Sequence, residues 1–434
     1  MNTDNPNPDL ADEIVAAVLV EARRFWVEAA MVAAVGATYW ATERRIGTIV
    51  AATAVAVTVG VLLAARRVRR ALGNLLVCRH WRRRLERALA RLAGRSFAGQ
   101  APALRQVTRT PFGITATVRL RPGHAATEVE KAAEALAAAL RVTHIHVERD
   151  HSDAGVCCLT VTCRDPFACG PIPCPWTHAR SVDLWEPLPI GHDQYGQRVH
   201  LAVAGHHLLA GGAPGGGKSN LLQLVAAAAA LDPAASLHAL DPKVVELARW
   251  QPLAASWAGA DIGDALVVLR HLDSELGRRY QLLAERRLRK LTAADGVGLH
   301  VVVVDEAMIY LNDPDKAAAA EFARLLRKLV ALGRAAGIVV VVGTQKPSTD
   351  VIPSAIRDNM SVRAAFRCTT RDASDTILGS GWATNNISAA DIDPTQPGVC
   401  YLLHEAAEPT KIRCYHLTDG DLDTIAAHTH QDRP

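Results

Sequence analysis

The chain has 434 residues, 49% hydrophobic but only 5% aromatic, so its cores must be built largely from Ala, Val and Leu, with room for two or three domains. A formal net charge of +4 points to no partner by itself, and nine cysteines in so long a chain exclude a disulfide framework and fit a reducing compartment. The charge is unevenly placed, however: eleven arginines and a single acid, Glu86, lie between Arg66 and Arg95, leaving the remainder mildly acidic.

Residues 1–22 carry acids and lack a basic n-region, which argues for a short cytoplasmic segment over a cleaved signal peptide. Residues 23–65 read as a transmembrane helical hairpin. Ile46–Ala65 is twenty residues without a charge, the length a helix needs to cross a bilayer core. Phe25–Thr42 is apolar apart from Glu28, and Trp26, Tyr39 and Trp40 suit interfacial positions. A buried Ala/Val-rich core hairpin is the competing reading. The arginines that follow mark their side as cytoplasmic, so both termini are expected inside, in a multi-pass protein of the plasma membrane with its bulk in the cytoplasm. Residues 66–98 then form a basic cytoplasmic helical linker, solvated or resting on anionic headgroups, with a DNA contact as the rival reading.

A small α+β domain is expected over 99–168. Ile114–Leu120 alternates as a half-buried strand, and Pro122-Gly123 turns the chain. Thr127 with Glu130 suggests a capping box opening a helix with Val129, Ala133, Leu136 and Leu140 on one face. Two strands follow, one carrying His144 and His146 on a shared face; exposed histidines are the plain reading and a metal pair the alternative. Cys157, Cys158, Cys163, Cys169 and Cys174 cluster without a CxxC pair, so free, half-buried thiols are expected over a zinc site. A Pro/Cys-rich linker occupies 169–180.

From 181 to 418 strands and helices alternate, which implies a parallel sheet. The strands include "HHLLAG", "SLHALD", "LHVVVVDE" and "IVVVVGTQ"; the helices include Lys218–Leu231 and Ala317–Ala336. Continuous apolar strands are expected where helices cover both faces of a sheet. Residues 419–434 are expected to be a tail.

The chemistry concentrates where the first of these strands meets its helix. Gly212, Ala213, Pro214, Gly215, Gly216, Gly217, Lys218 and Ser219 complete G-x-x-x-x-G-K-[ST], with Asn220 next on the helix. Glycines let such a loop curl until its N–H groups converge on phosphate oxygens, and the helix presents its positive end to the same anion. Lys218 is expected to neutralise the terminal phosphates of ATP and Ser219 to ligate Mg²⁺. A buried strand should end in an acid that completes the site. In "VVVVDE", Asp305 would hold the magnesium and Glu306 would polarise the attacking water, while Gln345 would sense the γ-phosphate or that water.

Several stretches, among them "LLAGGAPGGGKSN", "LDPKVVELARW", "VVVVDEA" and "GIVVVVGTQKPSTDVIPSAIRDN", resemble in order the motor domain of the FtsK/SpoIIIE translocases, and "TPFGITATVRLRPGHAATEVEKAAEALAAAL" is similar to the small domain that precedes that motor. The resemblance implies a RecA-like P-loop motor that assembles as a homo-hexamer and pumps double-stranded DNA. It also implies that Asp241 and Lys243 lie near the site and that a neighbouring subunit supplies an arginine. Arg363 is the first choice, with Arg334 and Arg367 as alternatives. The family's loop after "TIL" is replaced by "GSGWATNNIS", leaving Arg371, Trp382 and Asn385 as candidates for gripping DNA, and Lys346 stands where arginine is common. The compact plan is most similar to conjugative transfer proteins of actinobacteria. A type VII secretion-like ATPase moving proteins and a chromosome-segregation DNA pump are the alternatives.

Overall fold

The computed structural model describes residues 74–92, 101–150, 152–168, 170–345, 353–405 and 407–432. The expected transmembrane hairpin lies outside them, as do Cys169 and Lys346. Among the described residues no helix is long and apolar enough to cross a membrane. The chain divides into two compact units, residues 1–81 and 82–434. Of the first, only residues 74–81 are described, and they are helical.

The second unit opens with helix residues 82–92, where Leu85 and Leu89 are fully buried. Its arginines do more than sit in solvent. Arg84 donates to the carbonyl of Leu140 at 2.6 Å and Arg82 to that of Leu104 at 3.3 Å.

Four antiparallel strands follow: β1 (Ala103–Arg109), β2 (Gly113–Arg119), β3 (His144–Arg149) and β4 (Val156–Thr162), in the order β1-β2-β4-β3. In β2 the alternation is realised: Ile114, Ala116 and Val118 are all fully buried. The helix before β3 runs Ala126–Leu140. Thr127 is not its cap. The chain becomes helical two residues earlier, with Ala125 at the N-cap, and Glu128 rather than Glu130 accepts the N-cap N–H. That rotation puts Ala132, not Ala133, in the core with Val129, Leu136 and Leu140. His144 and His146 stack on Tyr195, at 5.1 and 4.0 Å between centroids. The described cysteines are free, and no group of three or more His, Cys, Asp or Glu among the described residues could hold a metal ion.

The larger sheet joins β5 (Ile172–Pro173), β6 (Leu188–Asp193), β7 (Arg198–Leu201), β8 (Leu208–Gly211), β9 (Ser236–Leu240), β10 (Ser256–Ala258), β11 (His300–Val304), β12 (Ile338–Thr344), β13 (Val362–Phe366), β14 (Val399–His404) and β15 (Thr410–His416). Its order is β10-β9-β11-β12-β8-β13-β14-β15-β6-β7, with the two-residue β5 beside β15. From β10 to β13 neighbours are parallel; from β13 to β7 they are antiparallel. The fold is therefore mixed α/β, and the parallel sheet expected from the alternating pattern holds only for the block from β10 to β13.

Helices cover both faces, as the unbroken valines of β11 and β12 require. On one face lies helix α1 (Lys218–Leu231), buried at Leu221, Leu222 and every residue from Leu224 to Leu231. The segment expected as a tail is a helix over Asp419–Asp432, and its Leu422 and Ile425 enter the same core. The other face carries Ile262–Arg286 and Lys316–Leu332. The latter stops four residues short of the expected Ala336. A side chain at Gly333 would meet the carbonyls of Leu329 and Ile338 at 2.5 and 2.6 Å, and Gly337 takes φ +66°, so the chain turns here into β12.

Candidate nucleotide-binding site

Strand β8 lies between β12 and β13, so the loop leaving it at Gly212 emerges among the carboxyl ends of parallel strands. Open α/β sheets bind ligands at such ends. The loop curls where glycine permits: φ is +153° at Gly212, +74° at Gly215 and +108° at Gly217. It is also tightly seated. A Cβ on Gly212 would come within 2.7 Å of Phe366, and one on Gly217 within 2.6 Å of the Gly398 backbone. Hydrogen bonds from Ala213 N–H to the Arg367 carbonyl (2.8 Å) and from Gly398 N–H to the Gly216 carbonyl (2.9 Å) fasten it to β13 and to the start of β14. Ala213 is half-buried and Pro214 exposed at its mouth.

Lys218 begins α1 and points inward. Its Nζ lies 2.5 Å from Asp305 Oδ1, with side-chain exposures of 4% and 1%. Buried opposite charges persist only when paired. Asp305 Oδ2 is buried without a hydrogen-bond partner. An orphaned carboxylate oxygen beside a phosphate loop, with the half-buried Ser219 at the same helix start, is the hard oxygen donor set that suits Mg²⁺. Room for the Lys218–Asp305 pair comes from Gly343 on β12. A Cβ there would lie 3.0 Å from Lys218 Nζ and 3.2 Å from Asp305 Oδ1.

Glu306 follows Asp305 with φ +53°, a left-handed conformation that costs a non-glycine residue about 1–3 kcal/mol and clusters at functional positions. Its carboxylate is tied to the end of β12: Thr344 Oγ1 donates to Oε1 at 3.3 Å, and the Gln345 N–H donates to Oε1 and Oε2 at 3.3 and 3.1 Å. Gln345 thus meets Glu306 through its backbone. Lys243 Nζ is 3.4 Å from Glu306 Oε2. Lys243 is aimed by Asp241, which is fully buried and accepts N–H groups from Lys243, Val245 and Leu247 at 3.2, 2.9 and 2.9 Å.

Asn220 faces away from the loop. Its amide donates to the Tyr415 carbonyl and accepts the Leu417 N–H at 3.0 Å, clamping α1 to β15. Arg363 lies toward the amino end of β13, opposite Leu209, and donates to the carbonyls of Met360 (3.1 Å) and Arg357 (3.2 Å). Burial pushes its guanidinium below the ordinary arginine value. Arg334 binds the Gly205 carbonyl and Glu405. Arg367, by contrast, adjoins its own phosphate loop, its N–H atom 3.5 Å from a Cβ built on Gly216. Arg371 reaches the Ala383 carbonyl and Asp391, Trp382 packs on the core, and Asn385 is exposed.

Four contributors to the site went unread in the sequence: Phe366 and Gly398 under the loop, Gly343 beside the buried pair, and Thr344 on Glu306. Gly343 alone carried a local signal, a glycine inside a strand just after its run of valines, which marks close approach of another group.

A phosphate loop on the central strand of a mixed sheet, with a buried Lys–Asp pair and a glutamate two strands away, defines a P-loop nucleoside-triphosphate-binding protein. Residues 182–378 match the FtsK/SpoIIIE family and residues 44–163 the actinomycete conjugal transfer protein N-terminal domain. The region that matches the FtsK/SpoIIIE family holds the phosphate loop, Asp305 and Glu306. It is 30% identical over 211 residues to the DNA translocase SftA of Bacillus subtilis, covering 45% of this chain and 21% of that one. To the DNA translocase FtsK of Treponema pallidum it is 29% identical over 259 residues, 56% of this chain and 31% of the relative. The chain thus spans a fifth to a third of these relatives' lengths. Among solved structures, the pCW3 conjugation coupling protein TcpA, a monomer with ATPγS, aligns with a TM-score of 0.53 over 81% of this chain and 99% of that one, at 18% identity, a likeness of fold.

Proposed function

We propose that the protein is a membrane-anchored, ATP-driven translocase of double-stranded DNA that serves conjugative transfer between cells. The observation that carries this reading is the Lys218–Asp305–Glu306 arrangement beneath a complete phosphate loop in an FtsK/SpoIIIE domain. The match of residues 44–163 to a conjugal transfer domain supports the conjugative role. The charge-free span at Ile46–Ala65 supports the membrane anchor.

In this reading the loop N–H groups and Lys218 hold the β- and γ-phosphates of ATP. Ser219 and Asp305 would hold Mg²⁺, which would supply charge neutralisation on the phosphate oxygens. Glu306 polarises the water that attacks the γ-phosphorus; the bond to the β-phosphate oxygen breaks, giving ADP and phosphate. In a hexameric ring Arg363 of the adjacent subunit would approach the γ-phosphate after leaving the Met360 and Arg357 carbonyls. DNA would be gripped through its phosphates, so affinity should fall with salt and depend little on sequence.

The test compares wild type with Lys218→Ala and Glu306→Gln in ATPase and triplex-displacement assays on linear duplex. Both variants are expected to lose displacement. Retention in either refutes the assigned role, and hydrolysis stimulated by a secreted helical protein but not by duplex would replace DNA with protein as the cargo.

A further inference from the structure

Among the described residues, the Glu306 carboxylate has four contacts of two different kinds. Three come from Thr344 and Gln345, at the end of β12, and move with the sheet. The fourth, the Lys243 ammonium, comes from the loop after β9. That loop has its own anchors. Asp241 gathers three of its N–H groups at one end. At the other, Gln223 of α1 donates to the Glu246 carbonyl and accepts the Trp250 indole N–H at 2.6 Å. The loop is therefore tied to the same helix that carries Lys218 and Ser219. Its tip is unprotected: Val244 and Val245 are 50% and 71% exposed. Val244 also takes φ +53°, which a β-branched residue adopts only under constraint.

From this geometry we infer that Lys243 is a positioning residue that restrains Glu306, occupying Oε2 and so holding the carboxylate away from water while the motor idles. The inference rests on the water-polarising role proposed for Glu306 and deepens it. A carboxylate whose oxygens already share one N–H and accept a hydroxyl and an ammonium has little capacity left to order a water. The ammonium is the one partner that can leave without disturbing β12, because only it belongs to a separate element. Movement of α1 on nucleotide binding would reach Lys243 through Gln223 and withdraw it. Lys243 thus couples occupancy of the phosphate loop to readiness of the carboxylate.

The experiment measures ATPase kcat and KM with and without linear duplex DNA for wild type, Lys243→Met, Lys243→Arg and Lys243→Met/Glu306→Gln. Lys243→Met should raise DNA-independent kcat about fivefold, the effect a partly exposed ion pair can impose, with KM for ATP unchanged. Lys243→Arg should restore the low idle rate, which a loss of packing alone would not explain. An idle kcat that stays level or falls in Lys243→Met, or a raised KM, overturns the restraint and makes Lys243 a phosphate ligand or a structural residue. The double variant should be as inactive as Glu306→Gln alone. Full hydrolysis by Glu306→Gln itself would instead sink the role of the glutamate, so the two failures are distinguishable. If Lys243→Met does not fold, Lys243→Gln, which keeps a polar stem without the charge, carries the same criteria.

Discussion

Replacing Lys218 by alanine is the obvious way to disable the phosphate loop, and the structure predicts that it does more than that. Lys218 and Asp305 are 4% and 1% exposed and 2.5 Å apart. Once the ammonium is removed, Asp305 Oδ1 has lost its partner while Oδ2 already has none. A buried carboxylate stripped of its counter-ion costs about 3–5 kcal/mol of folding stability. For a domain of this size each kcal/mol moves the melting midpoint by about 2–4 °C, so Lys218→Ala without nucleotide should melt roughly 10 °C below wild type. Substituting both partners, as in Lys218→Ala/Asp305→Asn, removes the uncompensated charge and should recover most of the loss, although neither variant hydrolyses ATP. Differential scanning calorimetry or urea titration of the four corners of this double-mutant cycle reads the coupling directly. A single variant that melts within about 2 °C of wild type, or a double variant as unstable as the single, would refute the claim that the pair is a desolvated unit.

The room left for that pair is testable through Gly343→Ala, whose new methyl would lie 2.8 Å from Leu222 and 3.0 Å from Lys218 Nζ. A displacement of a few tenths of an ångström at the phosphate ligand should lower kcat/KM for ATP by about 10-fold or more, with an overpacking penalty of about 1–3 kcal/mol; unchanged kinetics would show that the pair can shift freely. Stability should also fall with acid. Burial holds His207 and His238 down to about 3 and His300 to about 4, all below the ordinary 6.5. The folded protein keeps these rings neutral while the unfolded chain protonates them, so the stabilisation is complete above pH 6.5 and drains away as pH falls toward 4. Urea midpoints measured between pH 7.5 and about pH 4.5 should decline steadily, and a flat profile would exclude these histidines as the cause.

What the sequence revealed and what it hid divide by range along the chain. The loop Gly212–Ser219, the helix Lys218–Leu231 and the acids after β11 are encoded within a few neighbouring residues each: glycines that permit positive φ, an apolar helix, a run of valines ending in Asp-Glu. Their patterns survive without knowledge of the rest. The ground under the loop does not. Phe366 and Gly398 come from later strands, and nothing local to either announces that a glycine some 150 or more residues earlier will rest against it. The antiparallel block from β14 to β7 was equally hidden, because β6 and β7 precede the motif while β14 and β15 follow it, and only the closed sheet puts them side by side.

The same distinction explains Asn220 and Lys243, which proximity along the chain misplaces. Asn220 adjoins the phosphate loop in sequence, yet helix geometry turns its amide to the β15 backbone. Lys243 stands far from Glu306 in sequence, yet parallel pairing of β9 with β11 places the loop that follows one strand beside the acid that follows the other. In a parallel sheet the residues after adjacent strands emerge at the same end, so chemistry assembles from segments whose separation is set by crossover helices. Leu240 pairs with Val304, and Asp241 and Asp305 are the next residue on each strand. The register of β9 on β11 therefore fixes the distance from Lys243 to Glu306 before any side chain is placed. A change that slipped that register would separate the two residues while leaving both motifs intact in the sequence.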